Sequence, residues 1–316
     1  MTAVKDPSYS ADKLDYRVKV LVAISSSGED PFLSIEQNAQ SETFANCGNF
    51  DATFLWFEGD PALARRLRFR ILNRFVGFLH KSQYSPRFRI AISGGRVHFH
   101  ISLRRFLARF YSPVRGKNQL STAISRLAGP PAETTIWNGG RRVRLGLPNS
   151  YFLHPLRSRR RFAYLQSVEF DYVLFTTSTC YVDVPNLLSR IEKLPTKGVY
   201  AGPKMRFGCS FVPGNHTLMS RDVFDEVAKR AEMLRLDFPD DVGVGLLVED
   251  FGLAEVTEIP TENINPSLAE LSDLSHPWNE IYLFRCKAEP HTLHSEPVIS
   301  LMHKLHGLLI SERRKV

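Results

Sequence analysis

Two adjacent carboxylates, Asp240 and Asp241, follow Pro239 and precede an apolar helical stretch containing Val242, Val244, Leu246 and Leu247. A carboxylate so placed can take a proton from a hydroxyl within hydrogen-bond reach, and it can also cap the helix at the positive end of its dipole. The two roles can coexist. Arg285 and Lys287 alternate on an expected strand and so share one face, where they suit phosphate oxygens or simply meet solvent. Thr177, Ser178 and Thr179 end another strand with three consecutive hydroxyls. Neutral oxygens bind a hard dication poorly and cap backbone groups well, and the nearest carboxylate is Asp183. The histidine pairs His98/His100, His291/His294 and His303/His306 have spacings seen in metal sites, but no cysteine or carboxylate completes a set. Cys47, Cys180, Cys209 and Cys286 lie far apart with no Cys-x-x-Cys, as expected of reduced, buried thiols.

These residues need a scaffold, and the apolar pattern supplies one. Residues 19–24, KVLVAI, read as a buried parallel strand ending in the loop SSSGED, and 34–45 as a helix. Strands are expected at 51–57, 143–147, 172–176, 199–201 and 211–219. Helices are expected at 156–168, 184–193, from 221, from about 241 and at 297–309, with a loop-rich tail from 260. This alternation predicts a single α/β domain over 1–316, a sheet covered by helices, interrupted by an insertion at 61–132 and completed by an extension at 260–316. In such a sheet ligands bind beyond the carboxyl ends of the strands, which directs attention to the loops after Ile24, Thr176 and Met219.

Charge is unevenly spread. The whole chain of 316 residues carries +8, yet residues 61–168 hold 22 Lys and Arg against the single acid Glu133, a balance of +21, leaving −13 elsewhere. Within that part Leu67, Ile71, Phe75 and Leu79 form one stripe and Arg66, Arg70 and Arg74 another, and LRRFLARFY at 103–111 repeats the theme. Residues 61–118 therefore suit an anionic membrane face. A solvated arginine surface is the plainer alternative. Nucleic acid is a rival partner for the charge, but no base-reading motif accompanies it, so none is expected. No run reaches the roughly 18 apolar residues of a spanning helix, and the polar residues 1–15 do not resemble a secretory signal, so a cytoplasmic protein, peripheral on the inner membrane face, is expected.

Residues 170–188, FDYVLFTTSTCYVDVPNLL, resemble the segment of fringe and related beta-galactosyltransferases in which a buried strand ends in three aspartates, then an aromatic and a short helix. VYAG at 199–202, FVPGNHTLMSRD at 211–222 and PDDVGVGL at 239–246 follow in that family's order, and FRCK at 284–287 resembles the C-terminal basic strand of bacterial and viral relatives. The resemblance implies a GT-A, Rossmann-like mixed sheet and an inverting transfer of sugar from a nucleoside diphosphate to a glycan or lipid-linked acceptor. It implies Asp241, with Asp240, as base; Ser25, Ser26, Thr177, Ser178, Thr179, Arg285 and Lys287 toward the donor; and Gly214, Asn215 and His216 toward sugar or acceptor. A uridine or thymidine diphosphate sugar is the expected donor, because 25–30 matches the loop that holds the base in relatives. Thr-Ser-Thr replaces the family's acidic metal motif, so no metal is expected, the alternative being Mn2+ or Mg2+ through Asp183. Loss of that motif equally suits a non-catalytic protein that binds nucleotide-sugar or polysaccharide.

Overall fold

A computed structural model describes residues 18–46, 52–60, several single residues between 63 and 74, 134–137, 140–149, 153–235, 238–264, 280–286 and 295–314. Lys287, Cys47, the pairs His98/His100 and His291/His294, and nearly all of the basic insertion lie outside these residues.

In chain order the strands are β1 (Val20–Ser26), β2 (Ala52–Glu58), β3 (Thr134–Trp137), β4 (Gly140–Arg144), β5 (Tyr172–Thr177), β6 (Cys180–Val182), β7 (Tyr200–Gly202), β8 (Met205–Arg206), β9 (Ser210–Phe211), β10 (Thr217–Ser220), β11 (Val256–Glu258), β12 (Glu262–Ile264) and β13 (Leu283–Cys286). The helices are α1 (Phe32–Ile35), continued by a π turn at Glu36–Gln40, then α2 (His154–Leu165), α3 (Val184–Ile191), α4 (Arg221–Lys229), α5 (Asp240–Asp250) and α6 (Ser295–Arg313). Eight strands form one mixed sheet in the order β11-β7-β10-β5-β1-β2-β4-β3, and β12-β13-β6 form a small second sheet. β10 and the edge strand β3 run against their neighbours.

The run VLVAI makes β1 the centre of this sheet because it feeds both faces. Val20, Val22 and Ile24 enter one core with α1, α3, α6 and the small sheet, while Leu21 and Ala23 enter the other with α2, α4 and α5. On the second face Phe162 of α2 meets Phe175 of β5 and Phe224 of α4 edge-on, at 5.7 and 5.9 Å between ring centroids. These contacts fix α2 against the sheet, with its N-terminal turns at the carboxyl edge.

Three expectations need correction. The single strand expected at 211–219 is two, β9 and β10, separated by the loop 212–216. Because β10 is antiparallel, the chain leaves Met219 at the opposite edge, and the segment Gly214–His216, preceding β10, lies at the carboxyl edge instead. In the loop-rich tail β13 forms where the basic strand 284–287 is expected and pairs with β6, bringing Arg285 opposite Cys180, but β12, which pairs onto β13, is a strand the sequence did not foretell. Local composition cannot reveal strand direction, which long-range pairing decides.

Helix α5 approaches β9 closely only because residue 245 lacks a side chain: a Cβ there would sit 2.4 Å from the Phe211 Cβ and 2.9 Å from the Ser210 carbonyl. Gly245→Ala is therefore expected to destabilise the fold by about 1–3 kcal/mol although alanine favours helices. Gly307→Ala, at an exposed position of α6 with nothing within 4 Å, should gain up to about 1 kcal/mol. Thermal or denaturant melts of the pair check the packing; equal gains in both would contradict it.

Candidate functional site

The carboxyl edge of the sheet carries two polar clusters that meet at the acid pair. The first is built on α2, where His154, Arg157, Ser158 and Arg161 fall on one face at spacings of three and four and line a cleft with Ser25, Phe57, Leu145 and Asp240. Arg157 donates through Nη2 to the carbonyls of Ser26 (2.7 Å) and Phe57 (3.3 Å), and through Nη1 to Asn149 Oδ1 (2.7 Å). Arg161 donates to Ser25 Oγ (2.6 Å) and Ser158 Oγ (3.2 Å), while Ser158 Oγ donates to Asp240 Oδ2. Both arginines are 6% exposed, and each keeps an Nε with no hydrogen-bond partner. Two buried guanidiniums thus share one carboxylate. Burial, and for Arg157 the charge of Arg161, lower both arginines, Arg157 to about 10. Burial, helped by the two arginines and opposed by Asp240, lowers His154 to about 4. For Asp240, burial acts upward, but His154, Arg161 and the Ser158 hydrogen bond outweigh it and hold the carboxyl below its ordinary value.

The second cluster lies across the acid pair. Asp241 accepts from the backbone N–H of Gly214 (3.3 Å) and of Val242 (2.8 Å). Burial first, and the charge of Asp240 second, raise its carboxyl above the ordinary value. In the adjoining loop His216 is 3% exposed with neither ring nitrogen hydrogen-bonded, and Asn215 Nδ2 is likewise buried without a partner. Arg285 projects from β13 close enough to lower His216, and its Nε is also buried and unpartnered. Burial is the larger cause and Arg285 the smaller; together they bring His216 to about 4. Gly202, with φ of +145°, admits this loop, since a Cβ there would meet the His216 carbonyl at 2.5 Å. Buried donors are nearly always satisfied, so several unmet ones in one place ask for an acceptor.

The hydroxyl triplet closes that cluster on one side. Thr177 Oγ1 lies 3.3 Å from Thr179 Oγ1, but Ser178 turns inward, its Oγ donating to Glu36 Oε1 and lying 3.2 Å from the Ser25 carbonyl. Gln40 braces the same turn from behind, its Nε2 reaching the carbonyls of Thr177, Ser178 and Cys180, while Trp56 Nε1 holds Gln40 Oε1. Glu36 is fully buried, raised by desolvation against the pull of Ser178, Ser26 and Arg142, and Arg142 also pairs with Glu58.

These placements test the metal alternative. Asp183 is 1% exposed and ion-paired with Arg313 of α6 at 3.1 Å, a pairing that offsets only part of the cost of its burial. Among the described residues no group of three or more His, Cys, Asp or Glu is arranged to hold a metal ion. A neutral triplet with its middle hydroxyl turned inward and a carboxylate committed to an arginine do not fit a hard dication. His303 instead contacts the Asn38 carbonyl (2.7 Å), and His306 Nδ1 the Tyr181 hydroxyl (2.9 Å).

The structure brings Asp240, Asp241, Gly214, Asn215, His216, Arg285, Ser25, Ser26 and the triplet to one edge, with Ser178 turned away from it toward Glu36. Sequence reading missed Glu36 and the α2 row; the spacing of His154, Arg157, Ser158 and Arg161 was the available signal. Among the described residues no helix is long and apolar enough to cross a membrane. Compared with known proteins, the chain matches no family model and no curated protein.

Burial raises Asp183 to about 6, against the opposing charge of Arg313. A carboxyl raised from 3.8 favours the folded state when protonated, so its contribution is present below pH 4 and lost as pH rises through 6. Asp183→Asn should therefore gain stability relative to the native chain between pH 4 and 7, by up to about 3 kcal/mol, because Arg313, 39% exposed, can turn to solvent. A difference that is flat over this range in pH-dependent melts would refute the assignment.

Proposed function

We propose that the protein is an inverting glycosyltransferase of the GT-A type that takes its sugar from a nucleoside diphosphate and uses fixed cations in place of a metal. The observation that carries this reading is the set of unmet buried donors on Asn215, His216 and Arg285, beside the base candidate Asp241 at the carboxyl edge of the sheet. A diphosphate supplies the acceptors this set lacks. The mixed sheet with helices on both faces is compatible with a GT-A fold, and Ser25 at the end of β1 lines a cleft at the carboxyl edge, where such sheets bind ligands.

In this reading the donor lies with its nucleoside toward Ser25 and its diphosphate against Arg285, His216 and the hydroxyls of Thr177 and Thr179. Asp241, raised by burial and by Asp240, takes the proton from the acceptor hydroxyl as that oxygen bonds to the anomeric carbon. The bond from that carbon to the diphosphate oxygen breaks on the opposite face, which inverts the configuration. Arg285 takes up the charge that develops on the leaving group; His216 supports it as a hydrogen-bond donor and, once protonated, as a second positive charge. A lipid-linked acceptor also suits the insertion, where Ile71 is 60% exposed among the exposed Arg66, Arg70 and Arg74.

Uridine or thymidine diphosphate should raise the melting temperature equally with EDTA and with manganese, and Arg285→Met should abolish the shift. Asp241→Asn should keep the shift and lose turnover by about a hundredfold or more. Stabilisation that needs manganese would overturn the metal-independent reading, and donor binding without any turnover by the native chain would favour the non-catalytic binder. A phosphate oxygen beside His216 favours its protonated form, so binding takes up a proton and affinity should rise as pH falls from 7 toward 5. Titration calorimetry in two buffers should show this uptake in the native chain and not in His216→Gln.

A further inference from the structure

We propose that Ser158 and Arg161 of α2 are positioning residues that divide the acid pair, fastening Asp240 as an anchor so that Asp241 alone faces the acceptor, while the same guanidinium sets the donor loop through Ser25. The proposal rests on the glycosyltransferase reading and extends it to residues that no motif pointed to. Asp240 Oδ2 accepts from Ser158 Oγ and lies 3.9 Å from Arg161 Nη2, and its other oxygen lies 4.0 Å from His154 Nδ1. The hydrogen bond and the nearby guanidinium fasten Asp240 through Oδ2. Asp241, one residue on, has only backbone N–H partners among its hydrogen bonds, and they leave it turned toward the Gly214 loop.

Arg161 joins the two halves. Its Nη1 holds Ser25 Oγ at 2.6 Å at the end of β1, and its Nη2 holds Ser158, hence Asp240, at the start of α5. The guanidinium lies 4.6 Å over the Phe175 ring and 5.8 Å from that of Phe162, which limits its freedom to swing away. One rigid group therefore fixes the distance between the strand end proposed for the donor and the helix turn proposed for the base. A reacting geometry that depends on such a distance loses about a hundredfold in rate for a shift of 1 Å. Asp240 also acts on Asp241 through charge, keeping its carboxyl raised after burial has done so. The ionisable groups coupled to Asp241 from neighbouring elements are Tyr200 of β7 and Cys209 of the β8–β9 turn, both raised mainly by burial and so uncharged at neutral pH. The ionised neighbour is Asp240.

The test measures nucleotide-sugar turnover against pH in the native chain, Ser158→Ala, Arg161→Lys, Arg161→Met and Asp240→Asn, together with a carbon-13 titration of the Asp241 carboxyl without substrate. Arg161→Met should lower kcat by about ten- to a hundredfold and raise the donor KM as Ser25 is released, with part of both restored in Arg161→Lys. Asp240→Asn should move the acid limb of kcat/KM to lower pH, and the Asp241 titration with it. Ser158→Ala, the mildest change, should lower kcat and leave the melting temperature close to native. An Asp241 titration that is the same in Asp240→Asn as in the native chain would overturn the proposal, as would variants that lose stability without any change in pH limb or in the balance of kcat and KM. Failure of the native chain to turn over any nucleotide-sugar would sink the transferase reading instead, and the carboxyl titration would still decide whether Asp240 governs Asp241.

Discussion

A guanidinium buried at the edge of a sheet must be answered, and the answer that Arg161 receives sets much of the surrounding structure. Phenylalanine rings cover its apolar faces, so α2 lies where Phe162 and Phe175 allow it. Its charge needs a carboxylate, and Asp240 meets that need from the first turn of α5, where the helix dipole already favours a negative group. The packing of α2 on the sheet and of α5 beside α2 therefore depend on each other. Leaving either charge buried alone would cost several kcal/mol, which makes this contact a constraint rather than an ornament. The close approach at Gly245 completes the same arrangement from the β9 side.

The opposite side of β1 is tied by a second ionic network with a different consequence. Glu36, within the π turn that follows α1, binds Ser178 and Arg142, and Arg142 reaches Glu58 at the end of β2. The middle hydroxyl of the triplet is thereby spent on structure, and the Gln40 amide holds the carbonyls of the same turn. What remains free to face a ligand is the outer pair, Thr177 and Thr179. Glu36 and Gln40 together hold the turn in one shape.

The sheet was legible because 20–24 is apolar without interruption and can only be buried on both faces, and the acid pair was legible because Pro239 marks a helix start. The α2 row was not. His154, Arg157, Ser158 and Arg161 sit in a stretch so rich in arginine that it reads as solvated charge, although their spacing puts them on one face and the fold buries Arg157, Arg159 and Arg161 alike. Glu36 was hidden because two of the partners that stabilise its buried carboxylate, Arg142 and Ser178, lie more than a hundred residues away. The position of Gly214–His216 at the carboxyl edge follows from the antiparallel course of β10, which pairing with β5 and β7 decides.

The two clusters differ in how they tolerate the absence of a ligand. Around Arg161 both signs of charge are present and largely paired, so that side holds its shape throughout. Around His216 the resting site avoids the cost of two neighbouring buried cations by keeping the imidazole neutral beside Arg285. In the proposed complex a diphosphate would reverse the balance, because its oxygens would offset the repulsion from Arg285 and accept from ring nitrogens that have no hydrogen-bond partner. The second positive charge then arrives with the group it neutralises. A carboxylate metal site has the converse difficulty, since its like charges repel until a dication fills it, and the neutral Thr-Ser-Thr turn has no such repulsion to relieve.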